Sequence, residues 1–226
     1  MSPRRRTMVL ATALITAVLL ITTQWPIAAV QAAPAPASKT DAGPTHSRAV
    51  KKRLTLWATP ADSSGLSARY QLTRSSSMLY EPLKVTGNLT LTAPDRLELR
   101  DDELGGATTQ LAGEALTMVA NDPTLPPSPN PNTRGGPGRR WLRERLFALL
   151  LARDAEALLA DTVVTVARGA AMQLELTPAR NHPARHEVLR LRIQLDPTTG
   201  EVLEVVLNEA GGDVVTLTLS GHQRSG

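Results

Sequence analysis

The sequence predicts an α+β fold in which one large antiparallel sheet carries helices on a single face. Three observations predict it. From Val85 to Ala93 every second residue is small or apolar (Val85, Gly87, Leu89, Leu91, Ala93), with Thr86, Asn88, Thr90 and Thr92 between them. That period of two puts an oily face and a hydroxylated face on opposite sides of one strand. Further alternating segments follow along the chain, separated by short turn-forming stretches, as antiparallel strands require. Arg139 to Leu159 is the one strong departure to helical intervals, with Leu142, Leu146, Leu149, Leu150, Ala157 and Leu158 recurring at them.

In chain order, residues 1–32 carry the pattern of a secretory signal peptide. Arg4-Arg5-Arg6 is basic, Met8 to Ile21 apolar, and Val30-Gln31-Ala32 supplies small residues at cleavage spacing. The apolar run falls short of the ~20 residues of a membrane span. No cysteine follows it, so no thioether-linked lipid is expected. The expected product is a soluble exported protein. Loss of the leader removes three arginines from the 25 basic residues, leaving 22 against 21 acidic ones. Such a balance gives no basic patch for a nucleic-acid partner. With no cysteines there are no disulfides, so stability must come from a core.

Residues 33–49, rich in Ala, Pro, Ser and Thr, form a flexible leader, and residues 50–221 are expected to form a single domain. Val50, Leu54 and Trp57 suggest a short amphipathic helix closed by Thr59-Pro60. Leu66 to Thr73 is a strand, as are Val85 to Ala93 and Leu97 to Leu99, parted by a corner at Ala93-Pro94-Asp95. Gln110 to Ala120 reads as two strand segments bent at Ala112-Gly113-Glu114, with Leu116 and Met118 inward. Residues 121–138 hold six prolines and three glycines and no apolar period, which predicts an exposed irregular loop.

Arg139 to Leu159 follows as helix, with a break expected at Ala152-Arg153-Asp154. Strands return at Thr162–Ala167 and Met172–Pro178. Leu189, Leu191, Ile193 and Leu195 are expected on one face of the next strand. Asp196-Pro-Thr-Thr-Gly200 is turn chemistry, Glu201 to Asn208 the hairpin partner, and Val215, Leu217 and Leu219 the closing strand.

No catalytic set assembles, and the chain is not expected to be an enzyme or to hold a cofactor or metal. His182 and His186 flank Pro183 in a turn, without a third ligand nearby. Gly135-Gly-Pro-Gly-Arg-Arg140 lacks the Lys-Ser ending of a phosphate loop. Asp101-Asp102-Glu103 is expected to be a solvated turn. The leucine-lined strand faces need a cover. Either they form a closed core, or the helices act as a lid over an apolar cavity.

The chain resembles a divergent member of the LolA-type periplasmic outer-membrane lipoprotein carriers. The resemblance rests on Pro82-Leu-Lys-Val-Thr-Gly87 leading to Leu89-Thr-Leu-Thr-Ala-Pro-Asp-Arg-Leu97, and on Ala112-Gly-Glu-Ala-Leu-Thr-Met118. It continues through Leu146 to Asp161 with Met172-Gln-Leu-Glu-Leu-Thr-Pro178, and through Ile193 to Leu219 with its Gly212-Asp213 turn. It implies an unclosed antiparallel β-barrel, a large curved sheet, with an α-helical lid over a hydrophobic cavity. It implies a monomeric carrier without cofactor that shields acyl chains or lipoprotein anchors between an inner-membrane donor and an outer-membrane acceptor. Leu89, Leu91, Leu97, Leu99, Leu116, Met118, Leu174 and Leu191 are the candidate cavity face, and Leu146 and Leu150 the candidate lid contacts. The family's lid-latching arginine falls at Ala93, which leaves Arg96 as the nearest substitute, and the family's many cavity aromatics reduce here to Trp57, Tyr70, Tyr80, Trp141 and Phe147. The competing class is a non-transporting structural or sensory module with a closed core.

Overall fold

The structure is a computed structural model that describes residues 52, 54, 64–103, 105–112, 115–124, 136–152, 154–167 and 172–226. The expected signal peptide and leader, and most of the Pro-rich loop, lie outside the described residues. Of the expected first helix only Lys52 and Leu54 are described; both are helical, and Leu54 is buried in the core.

Ten strands form one antiparallel sheet: β1 (Gly65–Ser75), β2 (Leu83–Thr92), β3 (Arg96–Asp101), β4 (Ala107–Ala112), β5 (Ala115–Ala120), β6 (Thr162–Ala167), β7 (Met172–Pro178), β8 (Val188–Leu195), β9 (Val202–Glu209) and β10 (Val214–Ser225). Their spatial order is β5-β4-β3-β2-β1-β10-β9-β8-β7-β6. The chain meanders outward from the centre to β5, crosses to the far edge, and meanders back until β10 pairs with β1. The edges β5 and β6 do not pair with each other, so the barrel is unclosed. The crossover contains α1 (Pro137–Phe147), a π-helical turn (Ala148–Ala152) and α2 (Ala155–Leu159). This is the α+β architecture expected, with the helical stretch over one face.

Strict alternation sorts β2, with Val85, Gly87, Leu89 and Leu91 buried and their neighbours exposed. Leu66, Ala68, Tyr70 and Leu72 of β1 and Leu97 and Leu99 of β3 continue the same inner face. Three sequence expectations need correction. Leu189 is half-exposed, because a register shift between Val188 and Arg190 flips the strand and buries Val188 in its place. β10 runs to Ser225, past the expected boundary at 221, because its last residues pair with the start of β1 across an irregularity at Ser67 and Arg69. α1 begins at Pro137, inside the expected loop, since proline is well suited to the first turn of a helix.

Asp101 is the fourth correction. It is not a solvated turn residue; it ends β3 with its carboxylate buried. Tyr70, Gly87 and Asp101 are direct cross-strand partners on β1, β2 and β3. The absent side chain at Gly87 lets the Tyr70 ring lie across β2, where a Cβ would come within 2.7 Å of it. The Tyr70 hydroxyl then donates to Asp101 Oδ1 at 2.5 Å, and the Ala107 N–H donates to Oδ2 at 2.9 Å. Burial pushes the Tyr70 phenol up and also raises the Asp101 carboxyl, against the pull of both donors.

Two predictions follow from this row. Gly87→Ala is expected to cost about 2–3 kcal/mol by overpacking, read as a lowered urea midpoint with unchanged slope. A carboxyl raised in the folded state stabilises the fold below the ordinary carboxylate range and loses that contribution as pH rises through its folded value. Wild type is therefore expected to gain stability relative to Asp101→Asn as pH falls from neutrality. Urea titrations at a series of pH values check this, and a difference that stays flat would contradict it.

Candidate functional site

α1 presents Leu142 and Leu146 one turn apart, and the π-helical turn carries Leu149, Leu150 and Leu151 on to the sheet. Leu142, Leu149, Leu150 and Leu151 are buried, while Leu146 and Phe147 are half-buried at the margin. Where this stretch meets the sheet it encloses a cavity of about 30 Å³. Its floor is Leu72, Leu89, Leu91, Leu97, Leu99, Leu111 and Leu217, and its roof is Arg143, Leu146, Phe147 and Leu150.

Six of the ten residues singled out in the sequence meet here: Leu89, Leu91, Leu97 and Leu99 below, Leu146 and Leu150 above. Leu116 and Met118 on the edge strand β5, and Leu174 and Leu191 on β7 and β8, are buried but stand outside the cavity wall. The sequence reading missed Leu72, Leu111, Leu217, Phe147 and Arg143. Leu72 and Leu217 had the right alternation; their place at the floor follows from β1 pairing with β10, a contact between residues far apart in the chain. A larger recess of about 240 Å³ opens on the opposite face of β6–β9. Its wall mixes Leu174, Ile193 and Val206 with Gln173, Glu175, Arg192, Gln194 and Glu204, and such charged groups do not suit an acyl chain.

The lid is held by polar clasps at three points. At its start the Gly138 N–H donates to Glu187 Oε2 at 3.1 Å, which sets a carboxylate on the positive end of α1. A Cβ at Gly136 or Gly138 would collide with that carboxylate. Burial raises the Glu187 carboxyl, with Gly138 and Arg139 opposing the shift. In the middle, the buried Arg145 donates from Nε to Thr162 Oγ1 at 2.9 Å and from Nη1 to the Ala157 carbonyl at 2.7 Å, and from Nη2 to the Ala160 carbonyl. Its guanidinium also lies 5.7 Å from the Trp141 ring centre. Arg145 thus ties α1 to α2 and to the start of β6. At the far end Arg224 of β10 donates to the carbonyls of Leu150 at 3.0 Å and Leu151 at 3.4 Å, while Glu201 holds its guanidinium in a bidentate pair at 2.9 and 3.0 Å.

Arg96, the substitute latch considered from the sequence, is exposed at the start of β3. Arg224 is the arginine that reaches the lid. No sequence motif marks it, because its partners are backbone carbonyls more than seventy residues away. His182 serves a local purpose, accepting the Ala184 N–H at Nδ1 and capping the short turn Pro183–His186. Among the described residues no group of three or more His, Asp or Glu could hold a metal ion.

No protein-family model matches the chain, and no curated protein does. In solved structures the chain is similar to a LolA superfamily protein from Nitrosomonas europaea, at 9% identity and a TM-score of 0.35 over 76% of this chain and 92% of that one. It is similar to a putative outer membrane lipoprotein-sorting protein domain from Vibrio parahaemolyticus, at 8% identity and 0.38, over 78% and 91%. It is also similar to MucB, at 14% identity and 0.43, over 80% of this chain and 60% of MucB.

Arg224→Met removes the distal clasp without touching the cavity wall. Amide exchange at residues 148–152 is expected to speed up about tenfold, the equivalent of ~1.4 kcal/mol of local opening, with β1–β3 unchanged. Equal exchange in the two proteins would mean that the clasp does not hold the lid.

Proposed function

We propose that this protein is a non-enzymatic periplasmic carrier or binding protein that shields acyl chains or lipoprotein anchors beneath its helical lid. One observation carries the reading: a wholly leucine-floored cavity lies where a polar-clasped lid crosses an unclosed sheet. An apolar floor gives affinity without recognition chemistry, at ~0.8 kcal/mol per buried CH₂. Half-buried Leu146 and Phe147, at the lid's margin over the leucine floor, mark the place where a chain enters. At about 30 Å³ the cavity is far below the several hundred Å³ of a loaded ligand pocket, so this is the closed form, and loading displaces the lid. Transfer from an inner-membrane donor toward an outer-membrane acceptor is the expected use of such a carrier.

The same small volume favours a second reading, a non-transporting module whose closed core only supports a surface for a protein partner. Purification from a Gram-negative periplasm without detergent, followed by lipid mass spectrometry and titration with a fluorescent fatty acid, separates the two. The carrier reading expects stoichiometric acylated species or saturable probe uptake, with faster uptake by Arg224→Met. A folded, lipid-free protein that refuses the probe in both forms would overturn it.

A further inference from the structure

The β1–β2 hairpin overshoots the sheet. β2 pairs with β3 only between Gly87 and Thr92, and the Asp102 N–H donates to the Thr86 carbonyl, so β3 turns away there while the hairpin runs on. On its other side β10 begins opposite Ser75, at Val214. Residues 76–82 extend past the ladders on both sides. They carry Met78 at 82% exposure, a fully exposed Tyr80, exposed Pro82 and half-buried Leu79. Tyr80, counted from the sequence among the cavity aromatics, thus faces water. The tip is shaped by its own bonds: the Leu79 N–H donates to the Ser76 carbonyl at 3.1 Å and the Met78 N–H to the Ser76 hydroxyl at 3.3 Å.

Register places cations at the same end of the sheet. Ser75 lies opposite Val214, Val214 opposite Asn208, and Asn208 opposite Arg190, while the Ala210 N–H donates to the Glu187 carbonyl at 2.9 Å. The β7–β8 connection, residues 179–187, therefore shares this end with the hairpin, about four strand spacings or roughly 20 Å away. It exposes Arg180 and Arg185, and Lys84 is exposed at the base of the hairpin. Among the described residues no ion pair engages these three. The acids nearby are otherwise committed: Glu209 and Asp213 to Arg74, and Glu187 to the Gly138 N–H. Glu81 is the exposed carboxylate of the tip.

We propose that this end of the sheet docks on an anionic bilayer, with Met78, Leu79 and Tyr80 in the headgroup region and Lys84, Arg180 and Arg185 over the lipid phosphates. The surface is separate from the leucine-floored cavity, and the proposal needs no cargo there. A Met-Leu-Tyr turn in water buries nothing for its own chain. At a membrane interface its apolar groups leave water while the tyrosine hydroxyl stays wet. Each cation near an anionic leaflet adds attraction, and a weak apolar anchor combined with a basic patch holds where either alone releases. The layout favours a membrane over a protein partner. A protein interface centres on one contiguous packed core of about 800 Å² per side, whereas here the apolar groups occupy a single turn and two of the cations lie roughly 20 Å from it. A bilayer is a plane that meets both at once.

Sedimentation of the full mature chain with vesicles tests this. Vesicles of phosphatidylethanolamine and phosphatidylglycerol are expected to carry wild type down at low salt, about tenfold better than vesicles of phosphatidylcholine alone, and less well as salt is added. Met78→Ser combined with Tyr80→Ser is expected to bind about tenfold more weakly. Arg180→Gln combined with Arg185→Gln is expected to lose a similar factor and most of the salt dependence. All four side chains are exposed, so circular dichroism and urea midpoints are expected to stay at wild-type values. The chain has no cysteine, so Ser77→Cys carries a single environment-sensitive fluorophore, which is expected to shift to the blue on the anionic vesicles. Wild type left in the supernatant, or undiminished binding by the Met78 and Tyr80 variant, would overturn the proposal. So would a wild-type dimer in sedimentation velocity that the same variant dissolves, which would give the tip to a second copy of the chain. The tip variant is expected to take up a fluorescent fatty acid exactly as wild type does, so failure here leaves the carrier reading standing, and failure of uptake leaves this one.

Discussion

The pairing of β1 with β10 at the centre of the sheet is the constraint on which the remaining architecture depends. The first and last strands of the domain close on each other, so each half of the chain must build outward from that seam. The first half reaches its edge at β5 and the second begins at the opposite edge with β6. The connection between those edges therefore has to cross the whole sheet. A sheet with one apolar face leaves the crossing segment one favourable route, over the leucines, and the segment's own leucine stripe matches that route. The lid is thus a consequence of topology before it is a device.

What holds the lid is of a different kind from what holds the sheet. The sheet is a continuous ladder with a leucine and valine face, and opening it exposes apolar surface at about 25 cal/mol per Å². The lid adds discrete polar clasps: Glu187 at the start of α1, Arg145 inside the turn to α2, Arg224 on the carbonyls of the π-helical turn. Each is worth about 1–3 kcal/mol, and each fails in steps. Arg145 is the most buried of the three and burial pulls its guanidinium below its ordinary value; its removal would take a donor from the Ala157 and Ala160 carbonyls, the second of which keeps the Thr162 hydroxyl. Arg224 sits nearer the solvent, paired with Glu201, which makes the far end of the lid the weaker one. A π-helical turn at that end, with its looser backbone, is consistent with the difference.

Periodicity made the strands legible because each is sorted by burial on one side and water on the other. Leu89 and Leu91, Leu97 and Leu99 could be placed on one face from spacing alone, and the break before α2 showed in the side chain of Asp154, which accepts the Glu156 and Ala157 N–H groups. Legibility ended wherever the deciding contact was long-range. Leu189 kept the alternation on paper, yet a bulge against β9 turned it outward. Asp101 looked like its acidic neighbours until Tyr70, thirty-one residues earlier, was seen to reach it over Gly87. The candidate site divides in the same way. The inner-face leucines could be listed, but which of them share a wall with the lid depends on where the crossover lands. That is why Leu72 and Leu217 were missed, and why Leu116, Met118, Leu174 and Leu191 fall outside the wall.

A cavity of about 30 Å³ holds roughly one water's share of volume, and its leucine floor offers a water no hydrogen-bond partner. Such a void costs packing energy, and a chain with no use for it would be expected to fill it with a larger side chain. Under the carrier reading proposed above, an acyl chain entering there would not gain by filling the void alone, because the space admits little more than one methylene. It would gain by taking over the contacts that Leu146, Phe147 and Leu150 make with the floor. For those side chains the exchange of one apolar neighbour for another is close to neutral. The net driving force is then the apolar surface that the ligand itself removes from water, less the cost of releasing the clasps. In the proposed carrier, affinity would be set at the hinges, by Arg224 and Glu187, while the leucine floor would supply a driving force that does not discriminate between chains.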